Sequence, residues 1–207
     1  MQKTAIQTLV YVAAFAALII VLGAVSIPVG GAGVPIVLQN MGIALAAMLL
    51  GWRRGTLAVL LFLGVGLIGV PNLAGFRTTL SALPGTTVGY IVGYVVAALV
   101  IGLLTVRRPR GAGAMIALFT VAGLVGVVAQ YLFGTAGLMI RAEMGFTEAL
   151  LVNVPFVPGD IIKVVVAALI AAPVLRAFPD LRPTARSTGR ATGAATTPTT
   201  TETPATR

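Results

Sequence analysis

Asp160 and Lys163 stand three residues apart in the run PFVPGDIIKVVVAALIAAPVL, residues 155–175. On a helix this spacing puts both side chains on one face. The ten residues after Lys163 carry no charge, so the pair sits at one end of an otherwise apolar helix. Pro158 suits the first helical turn, and Asp160 suits the positive end of the helix dipole. Charges at membrane depth are costly and face either a cavity or each other. Two readings follow. The pair simply neutralises itself, or the lysine reaches out to the headgroups. Alternatively, an acceptor and a cation line a ligand pocket, and a ligand with both N–H donors and a carboxylate fits that pairing.

Other polar residues fall toward the same end of neighbouring apolar segments: Gln39, Asn72, Arg77, Tyr90, Gln130, Tyr131 and Asn153. Singly, each is more often structural. Together they describe a largely apolar pocket with a few convergent polar groups. The sequence has no histidine and no cysteine. That excludes a Ser-His-Asp triad, a histidine-ligated or thiolate metal site, and disulfides. Asp160 is the one acid at membrane depth, so two-carboxylate chemistry has no partner. The expectation is a binding protein rather than an enzyme, without a cofactor or metal. Gly64, Gly66 and Gly69 match GxGxxG, but inside an apolar helical run without the required preceding strand. No GxxxxGK[ST] occurs, so the chain has no recognisable ATPase motif of its own.

The elements that must position these residues are membrane helices. Hydrophobic residues make up 58% of the 207, and charged residues only 9%, where soluble domains carry about a quarter. Six apolar segments stand out, near residues 5–26, 36–50, 56–70, 86–106, 112–140 and 158–173. The first is too long for a cleavable leader core and reads as a retained helix. The second and third are short, joined by a basic turn at 51–55. With the N-terminus in the cytoplasm, the inner side holds Lys3, Arg53, Arg54, Arg107, Arg108, Arg110, Arg176, Arg182, Arg186, Arg190 and Arg207. The outer side holds only Arg77 and Arg141. This bias places both termini in the cytoplasm of a multi-pass cell-membrane protein. It also accounts for the net charge of +9 without nucleic acid. The outer connections are long and rich in proline and glycine, as loops that build a site often are.

Gly85, Gly89, Gly93 and Ala97 recur every four residues and make a smooth stripe for close helix packing. Ala13 and Ala17 form a small-xxx-small pair on the first helix, which suits either internal packing or docking of another membrane protein. The expected organisation is an all-α membrane domain over residues 1–180 and a tail over 181–207. Residues 184–207 read TARSTGRATGAATTPTTTETPATR, a composition that buries too little to fold.

The stretch VPIVLQNMGIALAAMLLGWRRGTLAVLLFLGVGLIGVPNLAGF resembles the BioY family, the biotin-specific substrate-binding subunits (S-components) of energy-coupling factor transporters. GTTVGYIVGY resembles that family's fourth-helix segment, and NVPFVPGDIIK its PGD-x-x-K ending. The likeness runs through residues 5–178, with departures at Asn72, Thr86 and Val88. It implies a six-transmembrane-helix S-component bundle that captures biotin at the outer face for ATP-driven uptake. It further implies Asp160 at the ureido N–H groups, Lys163 near the valerate carboxylate, and Tyr90 in the pocket wall. Gln39 and Asn72 join the expected binding set. Ala13 and Ala17 match the face that docks a membrane coupling subunit, which works with two cytoplasmic ATPases. An S-component for another small vitamin and a non-transport membrane scaffold are the alternatives.

Overall fold

The computed structural model describes residues 2–24, 26–27, 36–178 and 181. The expected tail therefore lies outside the described residues, apart from Leu181. Helix α1 (Gln2–Ala24) leads into a two-residue strand, β1 (Ser26–Ile27), which pairs antiparallel with β2 (Ile36–Val37). Then come α2 (Gln39–Leu67), a 3-10 turn at Ala74–Phe76 and the single-turn α3 (Thr79–Ala82). The chain continues through α4 (Val88–Leu104), α5 (Ala112–Arg141), α6 (Phe146–Leu151), a second 3-10 turn at Val154–Phe156 and α7 (Val157–Ala177).

Helix α2 is two limbs. Gly51 breaks it at φ 77°, ψ −178°, a conformation essentially confined to glycine. Beyond the break the chain folds back, so that Gly55 lies against the backbone of Ala46 and Ala47. An unbroken helix would hold those residues well over one turn apart. The turn expected over residues 51–55 is therefore one residue long, and Arg53 and Arg54 are helical. Arg54 is buried; its guanidinium lies 6.0 Å from the Tyr11 ring and donates to the Leu181 carbonyl at 3.2 Å. Arg53 stacks over Trp52 at 4.7 Å.

Counting the limbs of α2 separately, the bundle has six apolar helical segments, as expected of a multi-pass membrane protein. By length and composition Ala5–Ala24, Ala112–Arg141 and Phe146–Ala177 are each long and apolar enough to cross a membrane; Gln39–Leu67 matches them in length only as the sum of its two limbs. Val88–Leu104 is a shorter apolar helix. The first limb of α2, residues 39–50, is too short to span about 30 Å of hydrocarbon. It has no need to meet lipid, because every residue from 42 to 50 is buried among its neighbours. The outward faces are apolar too. Leu9, Val21, Leu60, Val128 and Leu169 are all exposed, as a lipid-facing surface requires.

The glycine stripe packs inside the molecule. Gly89 meets Gly137 backbone to backbone, and Gly93 meets the backbone of Gln130, which draws α4 tightly onto α5. Ala97 is buried on the same face. Gly85 takes no part in that contact. On α1, Val12, Ala16 and Ile19 are buried, while Ala13 and Ala17 face outward.

Gly51→Ala is expected to lower the stability of the detergent-solubilised protein by about 1–3 kcal/mol, the cost of forcing a side chain into this backbone region. Gly64→Ala, where the space around the glycine is open, should be neutral or slightly stabilising. Thermal unfolding of the two variants side by side checks the assignment.

Candidate functional site

The first turn of α7 carries Asp160, and Lys163 follows on the same face. Both are buried, at 2% and 8% exposure. Lys163 Nζ lies 2.8 Å from Asp160 Oδ1. From α5, the Tyr131 hydroxyl donates to Asp160 Oδ2 at 2.6 Å. From the start of α2, Asn40 Nδ2 approaches Oδ1 at 3.5 Å. Both oxygens of the carboxylate are thus engaged, and its position near the helix N-terminus adds favourable dipole. A carboxylate offers about four acceptor positions, so capacity remains for a ligand's N–H groups.

This cluster lines a cavity of about 530 Å³, within the range of small-molecule pockets. Besides α7, its walls come from several parts of the chain, including Val37 of β2 and Val152 after α6. The first turn of α2 gives Gln39 and Asn40, and α4 gives Tyr90, Ile91 and Tyr94. Helix α5 gives Gln130, Tyr131 and Leu138; the connection between α2 and α4 gives Leu73, Ala74, Arg77, Thr86 and Thr87. Phe156 closes the wall beside α7. A water-sized void lies below, between Asn40, Ala44, Ala97, Gly126, Gln130 and Lys163.

The wall is held by polar ties. Tyr90 Oη donates to Asn153 Oδ1 at 2.7 Å, and Asn153 Nδ2 donates to Thr135 Oγ1 at 3.0 Å. That chain links α4, α5 and the segment ahead of α7. Gly134 lets the Tyr90 ring lie flush against α5. Tyr94, one helical turn beyond Tyr90, packs its ring on Phe62 at 6.4 Å.

Four of the five residues expected to bind the ligand come together here: Asp160, Lys163, Tyr90 and Gln39. Gln39 also donates from Nε2 to the Asn72 carbonyl at 2.7 Å, which ties α2 to the loop after it. Asn72 is placed differently. It does not line the cavity, and its side chain is fully committed. Nδ2 donates to the Phe62 carbonyl and to Thr79 Oγ1, each at 2.8 Å, and Oδ1 accepts from the Thr79 amide at 2.9 Å. Asn72 is therefore a loop fastener. Tyr131, Gln130 and Arg77, weighed as candidates from sequence, line the cavity, while Asn153 acts behind the wall. Asn40 and Tyr94 were not singled out. Tyr94 was legible as the i+4 neighbour of Tyr90, and Asn40 only as the neighbour of Gln39. No group of three metal-ligating side chains occurs among the described residues.

Asn72→Val is expected to destabilise the protein, since the Thr79 amide and hydroxyl lose their partner at a cost of about 1–3 kcal/mol. Ligand stoichiometry should be unchanged. Thermal unfolding together with a binding titration separates this outcome from direct ligand contact.

The model of the BioY family matches residues 1–180. A biotin transporter BioY of Rhizobium etli is 39% identical over 178 residues, covering 84% of this chain and 95% of the relative. One from Rhodobacter capsulatus is 40% identical over 174 residues, covering 80% and 91%. Among solved structures, the S-component for biotin from an ECF-type ABC transporter superposes with a TM-score of 0.73 at 31% identity. That match spans 85% of this chain and 94% of the other.

Proposed function

The chain belongs to the BioY family, and on that premise we propose that it captures biotin from the outer side of the cell membrane for ATP-driven uptake. The observation that carries the reading is the buried Asp160–Lys163 cluster in the wall of a cavity of ligand size. A cyclic urea presents N–H donors beside a carbonyl acceptor. The cluster presents a carboxylate acceptor beside an ammonium donor, 2.8 Å apart. The two patterns are complementary along one edge of the urea, with Asp160 accepting from an N–H and Lys163 donating to the neighbouring carbonyl. The walls formed by Tyr90, Ile91, Tyr94, Leu73 and Phe156 offer apolar surface to a sulfur-containing bicycle and a methylene chain. Gln39 closes the side of the cavity. The binding set is thus Asp160, Lys163, Tyr90 and Gln39, with Tyr131 and Asn40 holding the carboxylate.

Capture alone does not move a solute uphill. The structural relative is the S-component of an ECF-type ABC transporter, which supports assembly with a coupling module. We assign the docking face to Ala13 and Ala17, which point outward from α1 while Ala16 packs inward. Small residues let another helix approach closely within a bilayer. The partner is a membrane coupling subunit that works with two cytoplasmic ATPases. The basic end of the bundle, with Arg53, Arg107, Arg108, Arg110 and Arg176, faces the cytoplasm on the positive-inside rule.

Equilibrium titration of purified protein with biotin tests capture. Asp160→Asn should weaken binding by about 100-fold or more, because breaking a buried hydrogen-bonded charge pair costs about 2–5 kcal/mol. Unchanged affinity in that variant counts against the site, and tighter binding of a different vitamin in a competition panel counts against biotin.

Docking is checked separately. Ala13→Trp combined with Ala17→Trp should preserve biotin binding while abolishing co-purification with the coupling subunits. Retained co-purification assigns docking to another face.

A further inference from the structure

We infer that Arg77 receives the ligand's carboxylate, so that the anion subsite lies at the mouth of the cavity and not at Lys163. The inference deepens the biotin reading and rests on it. Among the described residues, three charged side chains line the cavity: Asp160, Lys163 and Arg77. Two cations against one carboxylate leave a net of one positive charge, which suits a monoanionic ligand.

The distribution of that charge decides which cation meets the anion. Lys163 is held 2.8 Å from Asp160 in a buried pair. Both poles of the pair occupy one spot. In biotin the urea and the carboxylate lie at opposite ends, separated by the sulfur-containing ring and four methylenes. A ligand whose urea sits on Asp160 would have to fold back on itself to bring its carboxylate to Lys163. Placing an anion there would also set it beside the Asp160 carboxylate, with repulsion little screened by the buried surroundings.

Arg77 has the opposite properties. It is exposed and lines the same cavity, so it stands where the cavity meets solvent. Among the described residues its guanidinium makes no hydrogen bond or ion pair. A guanidinium offers a planar fork of donors that matches a carboxylate in bidentate fashion.

Its backbone is fixed. The Arg77 carbonyl accepts from the amides of Asn72 and Leu73 at 3.1 and 2.9 Å, closing a small loop through Gly75 and Phe76. The Asn72–Thr79 hydrogen bonds fasten the same loop from behind. Leu73 and Ala74 line the cavity with Arg77, so the loop presents a short apolar strip leading to a cation. The buried network around Asn72 thereby acquires a purpose: it holds the anion receptor over the mouth.

The test compares biotin with biotinamide, which keeps the urea and chain but lacks the negative charge. Wild type, Arg77→Ala, Arg77→Lys and Lys163→Ala are titrated with both ligands. Wild type should prefer biotin. Arg77→Ala should weaken biotin about 10-fold or more, the scale of one charge-assisted hydrogen-bonded contact, and leave biotinamide within about twofold. Arg77→Lys should restore part of the preference. Lys163→Ala should weaken both ligands by similar factors. The assignment is overturned if Arg77→Ala binds biotin as wild type does or weakens both ligands equally. It is equally overturned if Lys163→Ala alone abolishes the preference, or if wild type binds both ligands alike. Failure of wild type to bind either ligand would sink the biotin reading itself, and the assignment with it.

Discussion

The bundle is organised around one buried carboxylate. An isolated ionised Asp160 in this apolar setting would cost several kcal/mol. Three separate helices supply what makes it tolerable. Helix α7 gives Lys163 at i+3 and the dipole of its own first turn, α5 gives the Tyr131 hydroxyl, and α2 gives Asn40. Each group is useful only if its helix arrives at a fixed height and rotation. The carboxylate thus couples the packing of this end of the bundle to the chemistry of the cavity.

Close backbone contacts set those heights. Gly89 against Gly137 and Gly93 against Gln130 bring α4 onto α5, where dispersion between touching backbones substitutes for the absent hydrophobic drive between helices in lipid. Their contact positions Tyr90, whose hydroxyl then reaches Asn153, and Asn153 in turn reaches Thr135. At the other end, the reversal at Gly51 sends the second limb of α2 back along the first and delivers the 72–79 loop to the cavity mouth. The fold's irregular backbone is confined to the ends of the bundle, where hydrogen-bond partners or water are within reach.

Much of this was legible in the sequence for a physical reason: in a chain this apolar, each charge is an exception that needs an explanation. Asp160 and Lys163 stood out because α7 has few other polar groups, and i,i+3 spacing has one meaning on a helix. The apolar segments and, Gly85 apart, the glycine stripe read correctly because length and four-residue periodicity are local properties. What local reading missed depended on tertiary placement. Asn72 has the right type and the right end of the bundle for a ligand contact, yet its amide faces Phe62 and Thr79. Arg54 read as a loop charge, but a one-residue reversal at Gly51 put it inside a helix, buried beside Tyr11. Neither outcome follows from residue type, because both depend on which way a side chain turns after its neighbours have packed.

The pre-formed pair also bears on how such a cavity would give up its ligand. Asp160 and Lys163 already neutralise each other, and Tyr131 and Asn40 already orient the carboxylate. On the proposed reading, a urea entering the cavity meets groups in their final positions, so little reorganisation opposes binding. Pre-organisation that favours capture also opposes release, since the same contacts must be lost on the way out. The described residues place no titratable histidine or competing acid at the cavity to weaken them. Release therefore calls for work done on the bundle from outside, by moving helices that share the carboxylate. Helix α1 contributes no residue to the cavity lining and offers Ala13 and Ala17 outward. On the proposed docking, a partner seated on that face would leave the binding groups untouched while gripping α1, which packs directly on α2 and so on the helix that carries Gln39 and Asn40.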